Sequence, residues 1–153
     1  MILHTAHYSN RHPARLDITR AGCDKALKVG KPAPGLLLAP SPDLLRWGLD
    51  ARNRARGDAA KMAAVWARYE ADYLREVGER IAADRAPLDA LLRLPEAVLV
   101  CFCGGEDAAA GRCHRFPAAR VLVDHGADYR GEWVAFTAPG PFAGQLDMFG
   151  GEP

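Results

Sequence analysis

The chain is short of most features that mark a specialised protein class. Aromatic residues make up only 8% of its 153 residues. No apolar run approaches the ~20 residues that a membrane-spanning helix needs. An excess of charge of either sign is missing too: 20 Lys and Arg stand against 19 Asp and Glu, a formal net charge of +1. A protein that grips duplex DNA by bulk electrostatics is usually more basic, so any nucleic-acid contact has to be local or delegated to a partner. The opening residues, Met1-Ile2-Leu3-His4-Thr5-Ala6-His7, lack the basic start and long apolar core of a signal peptide. A cytoplasmic location is therefore expected. The four cysteines, Cys23, Cys101, Cys103 and Cys113, are then free thiols, metal ligands or site residues before they are disulfides.

What is present is the mix of one soluble globular domain, 49% apolar and 25% charged. Residues 2–6 read as a short strand that runs into the polar stretch His7-Tyr8-Ser9-Asn10-Arg11, and residues 15–19 alternate with period two. Prolines and glycines crowd residues 30–42 and argue against regular structure there. Ser41 is a helix N-cap candidate, with Pro42 in the first turn. From an Asp58 cap to about Ala83, Met62, Trp66, Tyr69, Tyr73, Val77 and Ile81 recur every three or four residues and form one apolar stripe. A shorter helical piece over 87–94 ends before Pro95. Residues 97–102 form a continuous apolar run of the kind buried on both faces of a sheet. A loop over 104–111 follows, and then a helix from about His114 that stops at Gly126. Long helices between short apolar strands predict an α/β layered fold with a small parallel or mixed sheet over residues 1–134. Residues 135–153 read as a flexible tail.

Arg112-Cys113-His114-Arg115 is the sharpest constellation, placed where a buried strand and a loop hand the chain to a helix. A helix start offers unpaired backbone N–H groups and a partial positive charge. Arg112, His114 and Arg115 add donors, so the segment is expected to hold a phosphate or carboxylate. Cys113 at the helix start and Cys101 at the strand end, with His114, are the candidates for nucleophilic chemistry. His7, Tyr8 and Ser9 join the same pocket if the first strand lies parallel to and beside the 97–102 strand. Cys101-x-Cys103 followed by Cys113-His114 also suggests zinc. However, the usual C-x₂₋₄-C knuckle is absent, and adjacent residues on a helix diverge. No metal site is therefore expected, a structural zinc module remains the alternative, and the sequence leaves any cofactor open.

Val98-Leu99-Val100-Cys101-Phe102-Cys103, a variable loop, then Arg112-Cys113-His114-Arg115 resembles the signature of domain-of-unknown-function family 488. Residues 2–10, Leu16-Asp17-Ile18-Thr19, Ala39-Pro40-Ser41, Tyr69-x₃-Tyr73-Leu74 and Gly126-Ala127-Asp128-Tyr129-Arg130-Gly131-Glu132 resemble its shorter, phage-like members. The resemblance spans residues 2–132 and implies a compact Rossmann-like domain without naming a reaction.

In the tail, Gln145-Leu146-Asp147-Met148-Phe149 resembles the peptide with which bacterial replication and repair proteins dock on the DNA sliding clamp. Leu146, Met148 and Phe149 suit a hydrophobic groove, and Gln145 suits a hydrogen bond at its edge. Two functional classes follow. One is an enzyme acting on nucleotides or nucleic acid that is delivered to DNA by the clamp. The other is a non-catalytic adaptor or inhibitor tethered to the clamp. A concave pocket with convergent polar groups favours the first.

Overall fold

The structure is a computed structural model and describes residues 1–103 and 105–133. The tail peptide 145–149 lies outside the described residues. Strands β1 (Ile2–His7) and β2 (Arg15–Asp17) fall where the sequence predicts them. The apolar run becomes β3 (Glu96–Cys101), buried from Ala97 to Cys101, whereas Phe102 leaves the strand and is exposed. Residues 128–132 are polar and carry no strand pattern, yet they form β4 (Asp128–Glu132) at the sheet edge. All pairings are parallel, in the order β2-β3-β1-β4. Register sets His7 opposite Cys101, so the carboxyl ends of β1 and β3 lie side by side.

The first three α-helices each have an identifiable local cap. Residues 20–28 lack a clean apolar stripe but form α1 (Arg20–Lys28) because Thr19 caps it: its Oγ1 accepts from the Gly22 N–H at 3.0 Å. Asp17 in turn holds Thr19 by accepting from its N–H and its hydroxyl. The proline-rich stretch is not wholly irregular, since Pro34–Leu38 makes a 3₁₀ turn. That turn is held from outside: Arg80 donates to the carbonyls of Leu36, Leu37 and Ala39, and the Tyr73 hydroxyl donates to Leu38 O at 2.6 Å. Ser41 caps α2 (Pro42–Ala55), and Asp58 caps α3 (Ala59–Ala83), both as expected. The expected short helical piece is α4 (Ala86–Leu92). The loop expected over 104–111 contains a one-turn helix, α5 (Gly105–Ala109), and α6 spans Arg115–Asp124.

The result is an α/β layered fold on a small parallel sheet. Its main core joins Leu3, Leu16, Ile18 and Leu99 from the strand side to Tyr69, Tyr73, Val77, Leu88 and Leu122 from the helices. Tyr69, Tyr73 and Val77 belong to the stripe that periodicity picks out on α3. A smaller cluster of Ala6, Val98 and Val100 packs with Tyr8 and Trp133. Among the described residues, no helix is long and apolar enough to cross a membrane.

Candidate functional site

At the carboxyl ends of β2 and β3, where layered α/β proteins bind ligands, lies a cavity of about 440 Å³. That is within the ~300–1,000 Å³ typical of small-molecule sites. Leu45, Leu49, Met62, Val65, Trp66 and Tyr69, from α2 and α3, make its apolar walls. Gly48 allows the two helices to approach: a Cβ there would meet the Tyr69 ring at 2.6 Å. Trp66 and Tyr69 stack with centroids 5.4 Å apart, so one wall is aromatic.

Cys101, Cys103, Cys113 and His114 also line the cavity. The three sulfurs lie within 4.8 Å of one another, with Cys101 Sγ donating to Cys103 Sγ at 3.7 Å. Two different backbone devices bring them together. Cys101 ends β3 and the chain bends at Phe102, which brings Cys103 back against Cys101. Cys113 and His114 precede α6 rather than sit within it, so the divergence expected of neighbours on a helix does not apply. Cys113 meets the other sulfurs while His114 Nδ1 lies 3.5 Å from Cys101 Sγ. The other ring nitrogen, Nε2, is 3.1 Å from the Ile18 carbonyl oxygen. A carbonyl only accepts, so Nε2 carries the proton and Nδ1 presents a lone pair. Burial pushes the His114 pKa down, opposed by the Ile18 hydrogen bond, and keeps the ring neutral.

The thiols do not behave alike. Hydrogen bonds from Cys101 and Cys113, followed by the nearby His114 and Arg52, pull the Cys103 pKa down against its burial. Donation to Cys103 pushes Cys101 up. Cys113 is lowered by its bond to Cys101, but its bond to Cys103 and its burial prevail and raise it to about 12. Cys101 and Cys113, the nucleophile candidates from the sequence, are thus shifted up, whereas Cys103 is shifted down.

The charged mouth is built differently from the sequence expectation. Arg112 Nε contacts Asp107 Oδ1 at 3.2 Å, and Arg52 Nη2 contacts Asp107 Oδ2 at 3.2 Å. Two guanidinium groups on one carboxylate leave an excess positive charge at the opening. Arg20, also in the lining, is paired with Asp24. Arg52 and Arg20 lie far from the Cys-His-Arg segment in sequence and carry no local signal. Arg115, expected to bind the anion, is not part of the lining. It is 1% exposed, donates through Nη1 to Cys103 O at 2.7 Å and pairs through Nη2 with Glu132 on β4 at 2.6 Å. Its charge is taken up inside the fold, where it ties the β3 end to β4.

His7, Tyr8 and Ser9 do lie beside Cys101, since β1 and β3 are neighbours, but none of them lines the cavity. His7 Nδ1 is 2.9 Å from Ser9 Oγ, both residues being exposed. Tyr8 stacks on Phe102 at 3.9 Å, with the Arg15 guanidinium 4.1 Å above its ring. No family model matches the chain, and no curated protein or solved structure matches it either.

Proposed function

We propose that the chain binds a nucleotide-class ligand, an aromatic or apolar body carrying an anionic group, and that it acts near DNA through a clamp-docking tail. The observation that carries the proposal is the cavity itself. It combines an aromatic and aliphatic wall (Trp66, Tyr69, Leu45, Leu49, Met62) with a mouth where Arg52 and Arg112 share one carboxylate. A base or sugar fits against the wall, and a phosphate fits at the guanidinium groups. A concave pocket with convergent polar groups favours a protein that handles its ligand over a passive tether.

The resemblance of residues 2–132 to domain-of-unknown-function family 488 belongs to the same proposal, since the Cys-His-Arg segment that carries it forms one side of the cavity. The Gln145-Leu146-Asp147-Met148-Phe149 peptide supports recruitment by a sliding clamp, which removes the need for a strongly basic surface.

Calorimetry with a nucleoside monophosphate, against the nucleoside alone, tests the pocket. Arg112→Ala should weaken the monophosphate by roughly tenfold or more, the loss of one charge-assisted hydrogen bond, and leave the nucleoside unaffected. Equal affinities across both ligands and both proteins would reject the anion site. A pull-down with a bacterial sliding clamp tests the tail. Leu146→Ala with Phe149→Ala should abolish retention, and equal retention would remove clamp recruitment.

A further inference from the structure

The three thiols beneath the pocket have a geometry that ligand binding does not explain. A tetrahedral zinc with Zn–S bonds of about 2.3 Å sets its sulfurs about 3.8 Å apart, and Cys101 and Cys103 stand at 3.7 Å. His114 Nδ1 lies 3.5 Å from Cys101 Sγ but stands outside the group of three sulfurs. Cys113 completes a set of sulfurs that all lie within 4.8 Å of one another, already gathered in the fold.

Beside this group His114 is held by Nε2 on the Ile18 carbonyl, with the Nδ1 lone pair facing Cys101 Sγ, where it can take the proton that this thiol gives up on binding.

The geometry points to a thiolate-rich zinc-class centre, with Cys101, Cys103 and Cys113 as ligands, the fourth position left to solvent or a small ligand, and His114 standing beside Cys101. Binding converts three thiols to thiolates and releases their protons. Three thiolates on a divalent ion leave one net negative charge. Arg115 Nη1, 3.8 Å from Cys113 Sγ, offsets that charge from the protein side. The donor set is soft and rejects magnesium or calcium, which take oxygen ligands. The centre pins the β3 end to the start of α6 and so forms the base of the ligand cavity. It does not depend on any ligand occupying that cavity.

Cobalt(II) is the probe, added to the reduced full chain without nucleotide. One equivalent should give the strong visible bands of a tetrahedral site with a thiolate-to-cobalt charge-transfer band, and zinc should displace both. Cys103→Ser, at the half-buried ligand, should cut the charge-transfer intensity by about a third. Cys23→Ser, outside the cluster, should leave it unchanged. The wild type gives a check that no variant's folding affects. Zinc should protect Cys103, the half-buried ligand, from alkylation, located by peptide mass, and should leave the Cys23 peptide as it was. No cobalt–thiolate band, a band indifferent to Cys103→Ser, or a Cys101–Cys103 disulfide with no metal uptake after reduction would overturn the assignment.

Discussion

Arg115 offers the sharpest test of the site geometry, because position in sequence and position in space assign it opposite roles. Next to His114 at a helix start, it should hold an anion. Buried against Glu132 and the Cys103 carbonyl, it should hold the fold. Arg115→Ala removes two charge-assisted hydrogen bonds to oxygen, each worth about 1.5–3 kcal/mol, and a longer, weaker one to Cys113 Sγ. The Glu132 side chain is 46% exposed, so water replaces much of that partner and the lower end applies. Losing the buried aliphatic stem adds about 2 kcal/mol. Against this, Nε of Arg115 is buried without a partner among the described residues, and deleting it recovers about 1–2 kcal/mol of desolvation. The net expectation is a destabilisation of about 3 kcal/mol, a large share of a typical ~5–15 kcal/mol total. Arg115→Met keeps the stem and should recover about 2 kcal/mol of it. Urea denaturation midpoints measure both. Nucleoside monophosphate affinity, measured on the folded fraction, should change little. Arg112→Ala should show the reverse pattern: Asp107 keeps Arg52 as partner, so stability falls by no more than about 1 kcal/mol while affinity drops. An Arg115→Ala protein of wild-type stability that has lost its ligand would refute this account.

Other perturbations follow from single contacts. Arg80→Ala releases three carbonyls of residues 36–39 from one guanidinium and should cost about 2–4 kcal/mol, seen as a lowered thermal midpoint. Gly48→Ala drives a methyl into the Tyr69 ring, which can shift only into the cavity or the core. A loss of about 1–3 kcal/mol with weakened nucleotide binding is expected from denaturation and calorimetry together. Gly35→Ala is harsher, because its Cβ would lie 2.0 Å from the Asp17 backbone oxygen, which has no rotamer to yield. A loss above about 3 kcal/mol should appear as low soluble yield. Cys23, buried and raised to about 11 by desolvation with Asp17 adding, should resist alkylation at neutral pH until the chain is unfolded.

How far the sequence could be read depends on whether a residue's role is fixed locally or by a distant partner. The α3 stripe is a local repeat, and the structure buries Tyr69, Tyr73 and Val77 on it. β3 is a local apolar run, and Ser41 and Asp58 are local caps. By contrast, β4 is polar and mostly exposed, and it forms a strand only because β1 offers it an edge and Arg115 an anchor. No periodicity marks such a strand. The site divides in the same way. Cys113 and His114 declare themselves by standing before a helix, and Cys103 by its spacing from Cys101. Arg52, on the other hand, reaches the mouth from α2, more than a third of the chain away, and is tied to it by the Asp107 pair. The charge beside the cysteines therefore comes from Arg52 and Arg112, while Arg115, adjacent in sequence, is spent on Glu132. A segment can show where chemistry concentrates, but which guanidinium faces the cavity is decided by where the carboxylates lie, and Asp107 and Glu132 divide the arginines between mouth and core.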